Sequence, residues 1–280
     1  MKITSIDIQS INSSDAITLS FRDLKSTEPY NVKSILGLDA ESITPQYYGS
    51  PGGSTYYTLS LDKRIITIQV GLNPDHTQGK SYSELRDDLY KKIYTSRYGK
   101  LNLVFKEDLM SVATISGFIS KFEAPLFEKI PEIKLTIECD EPMLTALEPI
   151  VIYAPYLDPY NTVITDNMST APHGFSFELA IETLAGVSIP SLKIADPTDT
   201  WFFEMVPTGG FTNGDLIYFS SGYSKELYMV RNGVTIYLAD TLSVASIWPL
   251  LFPGNNKFIT NNAFNVRWKA VSYYPTYWGV

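Results

Sequence analysis

Cysteine and histidine, the residues that most often bind transition metals or take part in catalysis, are scarce in this sequence. Its 280 residues include one cysteine and two histidines. A single cysteine, Cys139, excludes a disulfide within the chain and fits assembly in a reducing compartment. His76 and His173 lie far apart in the sequence, and neither has metal-ligand spacing with Cys139. We therefore expect no metal site and no histidine-dependent catalytic centre.

Excess positive charge and long apolar runs are also missing. The formal net charge is -8 at pH 7, and an acidic chain does not bind nucleic acid or an anionic membrane through bulk electrostatics. No apolar run is long enough to span a bilayer, and the first residues lack the apolar core of a signal peptide. Hydrophobic residues make up 44% of the chain, which is enough for a packed core. This composition predicts a folded protein without a membrane partner.

The chain is organised around residues 64–105, which predict a strand, a helix and a second strand. Residues 64–70 are β-branched and apolar, as expected of a strand. Ser81 and Glu84 have the spacing of a capping box at a helix start. A lone amphipathic helix must bury its apolar stripe against a neighbouring sheet. The residues predicted to form that stripe are Tyr82, Leu85, Leu89 and Ile93.

The remaining segments predict a mainly β, β-rich α+β chain with two domains, residues 1–150 and 151–280. Charged residues are concentrated in the first part, whereas all four tryptophans lie in the second. Residues 153–160 are rich in proline and tyrosine and predict an extended link. The second part alternates short strands with turns, which is typical of a β-sandwich. Its strongest hairpin signal is Asn232-Gly233.

The segment nearest to a nucleotide-binding motif is Gly79-Lys80-Ser81, before the predicted helix. A P-loop needs a glycine five residues before the Gly-Lys pair, but Pro74, which has no amide proton, stands there. A capped loop is the favoured interpretation, although the start of a helix can also hold an anion. Cys139 alternates with polar neighbours on an apolar strand face, which favours a core position. We therefore expect no catalytic residue, no cofactor and no enzymatic activity.

Aromatic residues near the C-terminus leave one alternative open. Trp268, Tyr273 and Trp278 are candidate carbohydrate contacts, because exposed aromatic rings can stack on sugars. Packing in a core or an interface is the favoured interpretation of these side chains. The alternative function is a carbohydrate-binding adhesion module that recognises host surface polysaccharide.

Three stretches of the chain resemble the distal tail protein (Dit) family of long-tailed, non-contractile bacteriophages. The first is RIITI at residues 64–68 with YSELRDDLY at 82–90. The second is GFISKFE at 117–123, continuing to the acidic-proline turn at 138–142. The third is IWPLLFPGNN at 247–256, followed by RWK at 267–269 and WGV at 278–280. These motifs are patterns of apolar and turn residues that occur in the same order as in the family.

The resemblance implies a virion structural protein at the tail tip, assembled in the host bacterial cytoplasm. It implies an N-terminal, β-sandwich-like belt domain with one helix, which forms a hexameric ring with itself, and a C-terminal galectin-like β-sandwich. It further implies a baseplate hub that joins the tail tube protein to tail-tip or receptor-binding proteins. DNA would pass through such a ring without specific binding. Arg64, Lys91 and Lys92 cluster near the helix and are candidate subunit contacts.

Overall fold

The computed structural model describes residues 3–10, 16–21, 28–39, 44–50, 53–60, 63–74, 79–94, 100–108, 110–125, 132–153, 161–184, 186–198, 202–222 and 224–279. The chain divides into two compact units. The first unit comprises Met1–Leu147 and Tyr277–Val280, and the second comprises Glu148–Thr276. The C-terminal residues, which the sequence assigned to the second domain, therefore return to the first unit. Among the described residues the fold is mainly β with one α-helix, which confirms the predicted class.

Among its described residues, the first unit contains strands β1 to β10 and the helix. Their bounds are β1 (Ser5–Ser10), β2 (Ala16–Ser20), β3 (Tyr30–Leu36), β4 (Thr44–Ser50), β5 (Gly53–Ser60), β6 (Arg64–Leu72), α1 (Tyr82–Tyr94), β7 (Leu101–Glu107), β8 (Met110–Glu123), β9 (Glu132–Cys139) and β10 (Leu144–Thr145). Strands β4 and β5 form a separate antiparallel hairpin. The helix α1 is too short and too polar to cross a membrane.

Seven strands of the first unit form a closed sheet rather than the predicted sandwich-like arrangement. Their order is β8-β7-β1-β2-β3-β6-β9, and β9 pairs with β8 again. Closure is possible because β8 has 14 residues, of which the first half pairs with β7 and the second half with β9. Gly117 lies where these pairings meet. A Cβ atom there would lie 2.7 Å from the carbonyl oxygen of Glu138, so only glycine allows this approach.

The helix packs its apolar stripe into the core of the closed sheet. Leu85, Leu89 and Ile93 are buried with the inward side chains of the strands, whereas Tyr82 is exposed and was wrongly included in the stripe. The capping box is confirmed, because the Ser81 amide donates to Glu84 Oε2 (2.8 Å) and the Glu84 amide donates to Ser81 Oγ (3.4 Å). Cys139 is buried in the same core, as predicted.

The second unit consists of short strands, as the sequence predicts. They are β11 (Ile150–Tyr153), β12 (Asn161–Asp166), β13 (Phe175–Ile181), β14 (Ser188–Ile189), β15 (Leu192–Ala195), β16 (Phe202–Met205), β17 (Phe211–Thr212), β18 (Leu216–Ser220), β19 (Glu226–Arg231), β20 (Val234–Tyr237), β21 (Gly254–Thr260) and β22 (Val266–Tyr273). A last strand, β23 (Thr276–Tyr277), follows and lies next to β10 in the sheet of the first unit. Strands β11, β12, β14 and β17 were not predicted, and the first of them adjoins the proline-rich stretch that predicted a link.

Two sheets of the second unit share one apolar core, as in a β-sandwich. The larger sheet has the order β11-β22-β13-β18-β19-β20, and the smaller has the order β12-β21-β15-β16. Phe177 and Trp268 of the larger sheet and Phe203 and Phe258 of the smaller belong to the same buried cluster. The predicted Asn-Gly hairpin joins β19 to β20. Its turn residues have positive φ angles, 50° at Asn232 and 78° at Gly233, as a type I′ turn requires.

Candidate functional site

Arg64 makes hydrogen bonds within the first unit and is buried, so it is not a candidate subunit contact. Its side chain is only 2% exposed. Its Nη1 atom donates to the carbonyl oxygens of Gly37 (3.3 Å) and Leu38 (2.9 Å), and Nη2 donates to the carbonyl oxygen of Trp278. The guanidinium therefore holds two distant segments against the start of β6. Burial removes Arg64 from the predicted contacts, whereas Lys91 and Lys92 are exposed on α1.

Two of the three candidate carbohydrate contacts are core residues. Trp268 and Tyr273 are 2% and 3% exposed and belong to the second core. The pairing of β13 with β22 shifts register between Glu178 and Leu179, so that an extra residue, Lys269, is accommodated in β22. This bulge keeps both Trp268 and Tyr273 on the inner face despite their odd spacing. Their burial agrees with the favoured interpretation, packing in a core, and of the three candidates only Trp278 is partly accessible.

The polar groups of the Gly79-Lys80-Ser81 segment are engaged at the start of the helix. Lys80 Nζ forms an ion pair with Asp88. Ser81 Oγ donates to Glu84 Oε2 at 2.8 Å. The Ser81 amide, followed by the Ser81 hydroxyl, lowers the pKa of Glu84. These contacts support the capped-loop interpretation of the motif, while His76 lies outside the described residues.

His173 occupies a buried position in the second unit. Its Nε2 atom lies 3.6 Å from Asp166 Oδ2, and its Nδ1 atom lies 3.3 Å from the carbonyl oxygen of Ala171. Burial lowers the pKa of His173, although the Ala171 carbonyl and the Asp166 carboxylate oppose that shift. Asp166 Oδ1 accepts the amides of Met168 and Ser169. In the part of the chain that the structure describes, no group of three or more His, Cys, Asp or Glu side chains is arranged to hold a metal.

A row of tyrosines crosses the outer side of the larger sheet of the second unit. Tyr218, Tyr228 and Tyr237 are direct cross-strand neighbours on β18, β19 and β20. The rings of Tyr218 and Tyr228 are stacked, with centroids 5.0 Å apart and planes 20° apart. The Tyr237 ring packs edgewise on Tyr228 at 6.3 Å, and this residue is 79% exposed. Cross-strand aromatic pairs of this kind stabilise a sheet, but the exposed ring also offers a contact surface.

We call this outer surface the tyrosine face. It is the outward side of β13, β18, β19 and β20, and its defining residues are Glu178, Tyr218, Ser220, Glu226, Tyr228 and Tyr237. Sequence reasoning missed it, although a signal was available. The Asn-Gly turn sets the register of β19 and β20, and that register places Tyr228 opposite Tyr237.

Comparison with known proteins finds similarity in structure but not in sequence. No protein-family model and no curated protein matches the chain. The fold is that of the hub proteins of phage tails. In particular, the crystal structure of the SPP1 Dit (gp 19.1) protein, described as a hub adsorption apparatus of phages infecting Gram-positive bacteria, superposes with a TM-score of 0.63 at 14% identity. That match covers 97% of this chain and 98% of the other. The predicted resemblance to the distal tail proteins is thereby confirmed at the level of the fold.

Two further matches are to chains of the phage p2 baseplate in its activated conformation. The structure with Sr gives a TM-score of 0.42 at 8% identity, covering 96% of this chain and 98% of the other. The structure with Ca gives a TM-score of 0.44 at 9% identity, covering 99% and 98%.

Proposed function

We propose that the protein is a structural hub at the distal end of a phage tail. It joins the tail tube protein to tail-tip or receptor-binding proteins, and it resides in the virion after assembly in the host bacterial cytoplasm. The observation that carries this proposal is the match to SPP1 Dit, which extends over 97% of this chain and therefore includes both units. A shared fold over the whole length favours a shared architectural role, although a fold alone does not specify function.

The two units have different roles in this proposal. The first unit is the belt domain, which contacts its neighbours head to tail in a closed ring of six subunits. Lys91 and Lys92 are the candidate subunit contacts in this ring, because both are exposed on α1. The second unit is a galectin-like sandwich that docks the partner. Each unit has its own apolar core, which suits a subunit whose two halves serve different neighbours.

The charge of the chain suits a ring that DNA must traverse. Each basic side chain that neutralised a phosphate would release counterions and hold the DNA. A net charge of -8 per subunit, multiplied in a ring, disfavours that contact. Repulsion fades over about 8 Å at physiological salt, so DNA passes without being excluded from the lumen and without specific binding.

The polar side chains of the segment that resembled a nucleotide-binding motif make contacts within the chain, which agrees with a structural role. Lys80 and Ser81 stabilise the start of the helix. The alternative, a carbohydrate-binding adhesion module, loses two of its three candidate contacts because Trp268 and Tyr273 are buried. We therefore propose no enzymatic activity and do not extend the carbohydrate interpretation.

The ring is tested by the mass of the assembled full-length chain. Native mass spectrometry should detect six copies of the 31.4 kDa subunit, either in solution or on a tail-tube template. A filter-binding assay at low salt should show no retention of double-stranded DNA. A protein that stays monomeric under all assembly conditions, template included, contradicts the ring, and tight DNA binding contradicts the proposed lumen.

A further inference from the structure

The tyrosine face differs from an ordinary solvated sheet surface in the way its rings are presented. Stacking of Tyr218 on Tyr228 covers the ring faces that point toward each other, so these two residues offer mainly ring edges and hydroxyl groups. Tyr237 lies at the end of the row, where its ring packs edgewise on Tyr228. The face therefore combines one open ring with a row of hydroxyl groups.

The charge of this face is negative. Glu178 is the cross-strand neighbour of Tyr218, and Glu226 is the neighbour of Ser220. Among the ion pairs of the described residues, none includes either glutamate. Burial raises the pKa of the Tyr218 hydroxyl, and the Glu178 carboxylate raises it further. The second effect is expected of a nearby negative charge.

The arginines closest to this face in the sheet are already paired. Arg231 donates Nε to Asp215 Oδ1 at 2.9 Å and Nη2 to Asp215 Oδ2 at 2.6 Å. Arg267 lies 3.5 Å from Glu182. Neither arginine is therefore paired with an acidic group of the tyrosine face.

We propose that the tyrosine face binds a polypeptide partner that presents arginine side chains. One guanidinium can lie flat on the open ring of Tyr237, and another can pair through its planar fork with Glu178, three strands away in the sheet. Tyrosine with serine is also the composition of protein-binding surfaces, because tyrosine supplies rigid contact area at a small cost in side-chain entropy. A sugar would need open ring faces, and the stacking of Tyr218 on Tyr228 leaves few of them.

This inference deepens the proposed hub function, since it assigns the docking role of the second unit to one face and one partner chemistry. It does not depend on ring formation. If the ring assembles and the face binds no arginine peptide, only the docking proposal fails. If the face binds the peptide but the chain never assembles, the hub proposal fails instead.

The test measures binding of labelled octapeptides to the full-length protein by fluorescence anisotropy. The probes alternate arginine, lysine or glutamate with threonine. We expect the arginine peptide to bind, the lysine peptide to bind about threefold or more weakly, and the glutamate peptide not to bind. Tyr237→Ala and Glu178→Gln should each weaken arginine-peptide binding about threefold or more.

Two matched variants control for general charge and aromatic effects. Tyr274→Ala removes another exposed tyrosine of the second unit, and Asp240→Asn removes another exposed acid. Both should bind the arginine peptide like the parent. Absence of binding up to about 1 mM peptide, an equal loss in the controls, or equal binding of the lysine peptide overturns the proposal. Binding of maltoheptaose that Tyr237→Ala abolishes overturns it too, because it assigns the face to a sugar.

Discussion

Leu89→Ala tests whether the packing of α1 on the closed sheet stabilises the first unit. Leu89 is fully buried at 0% exposure, between Leu85 and Ile93 of the same stripe. The substitution removes three side-chain carbon groups, which are worth about 0.8 kcal/mol each in transfer free energy, or about 2.4 kcal/mol together. A cavity left behind adds to this loss, so the free energy of unfolding should fall by about 3 to 4 kcal/mol.

The assay is urea denaturation followed by circular dichroism, with the transition of the first unit fitted separately if the two units unfold apart. For a slope of about 2 kcal/mol per molar urea, a loss of about 3 kcal/mol lowers the midpoint by about 1.5 M. Leu36→Ala is the matched control, because Leu36 lies on β3 of the same unit and is 67% exposed. It should shift the midpoint by less than a third as much.

The result that would refute this reasoning is an unchanged midpoint for Leu89→Ala, or equal shifts for the two variants. Either outcome would mean that the helix stripe contributes no more than an exposed leucine does. The contact of the Tyr30 hydroxyl with the carbonyl oxygen of Leu85 (3.0 Å) would then hold the helix instead.

Three further predictions concern single residues. Arg64→Met should lower the free energy of unfolding of the first unit by about 2 kcal/mol or more, because carbonyls of Gly37, Leu38 and Trp278 lose their donor; an unchanged urea midpoint contradicts this role. Gly233→Val should destabilise the second unit by about 1 kcal/mol or more in thermal melts, since its φ is 78°; an unaltered melting temperature refutes the strain. Burial lowers the pKa of His173 in the folded state. The contribution of neutral His173 to the free energy of unfolding should therefore be complete above its unfolded-state pKa of about 6.5 and decline as pH falls below that value. His173→Gln should flatten that decline. A variant whose stability depends on pH as the parent's does would contradict this role of His173.

Local sequence patterns were enough to predict most individual elements. The capping box of Ser81 and Glu84 and the Asn-Gly turn at residues 232–233 act between neighbours in the chain. Their geometry therefore depends little on the rest of the fold. The same applies to the alternation that buries Cys139 and to the 3.6-residue spacing that buries Leu89.

The candidate site was predicted less well, because exposure is set by contacts between distant segments. Arg64 looked like a surface cation, yet the carbonyls of Gly37, Leu38 and Trp278 converge on it. For Trp268 the sequence left both core packing and a sugar contact open, and the sandwich places it against Phe177 and Phe258. A charged or aromatic residue alone does not reveal whether other segments will cover it.

The amino-acid sequence by itself determined the mainly β class, the one amphipathic helix, the hairpins and the acidic charge, because these follow from composition and short-range spacing. Only the tertiary structure decided the closure of the first sheet through β8, since closure depends on two pairings of one strand with partners far apart in the chain. It also decided the tyrosine face, because three residues from separate strands become neighbours only when the strand register is set.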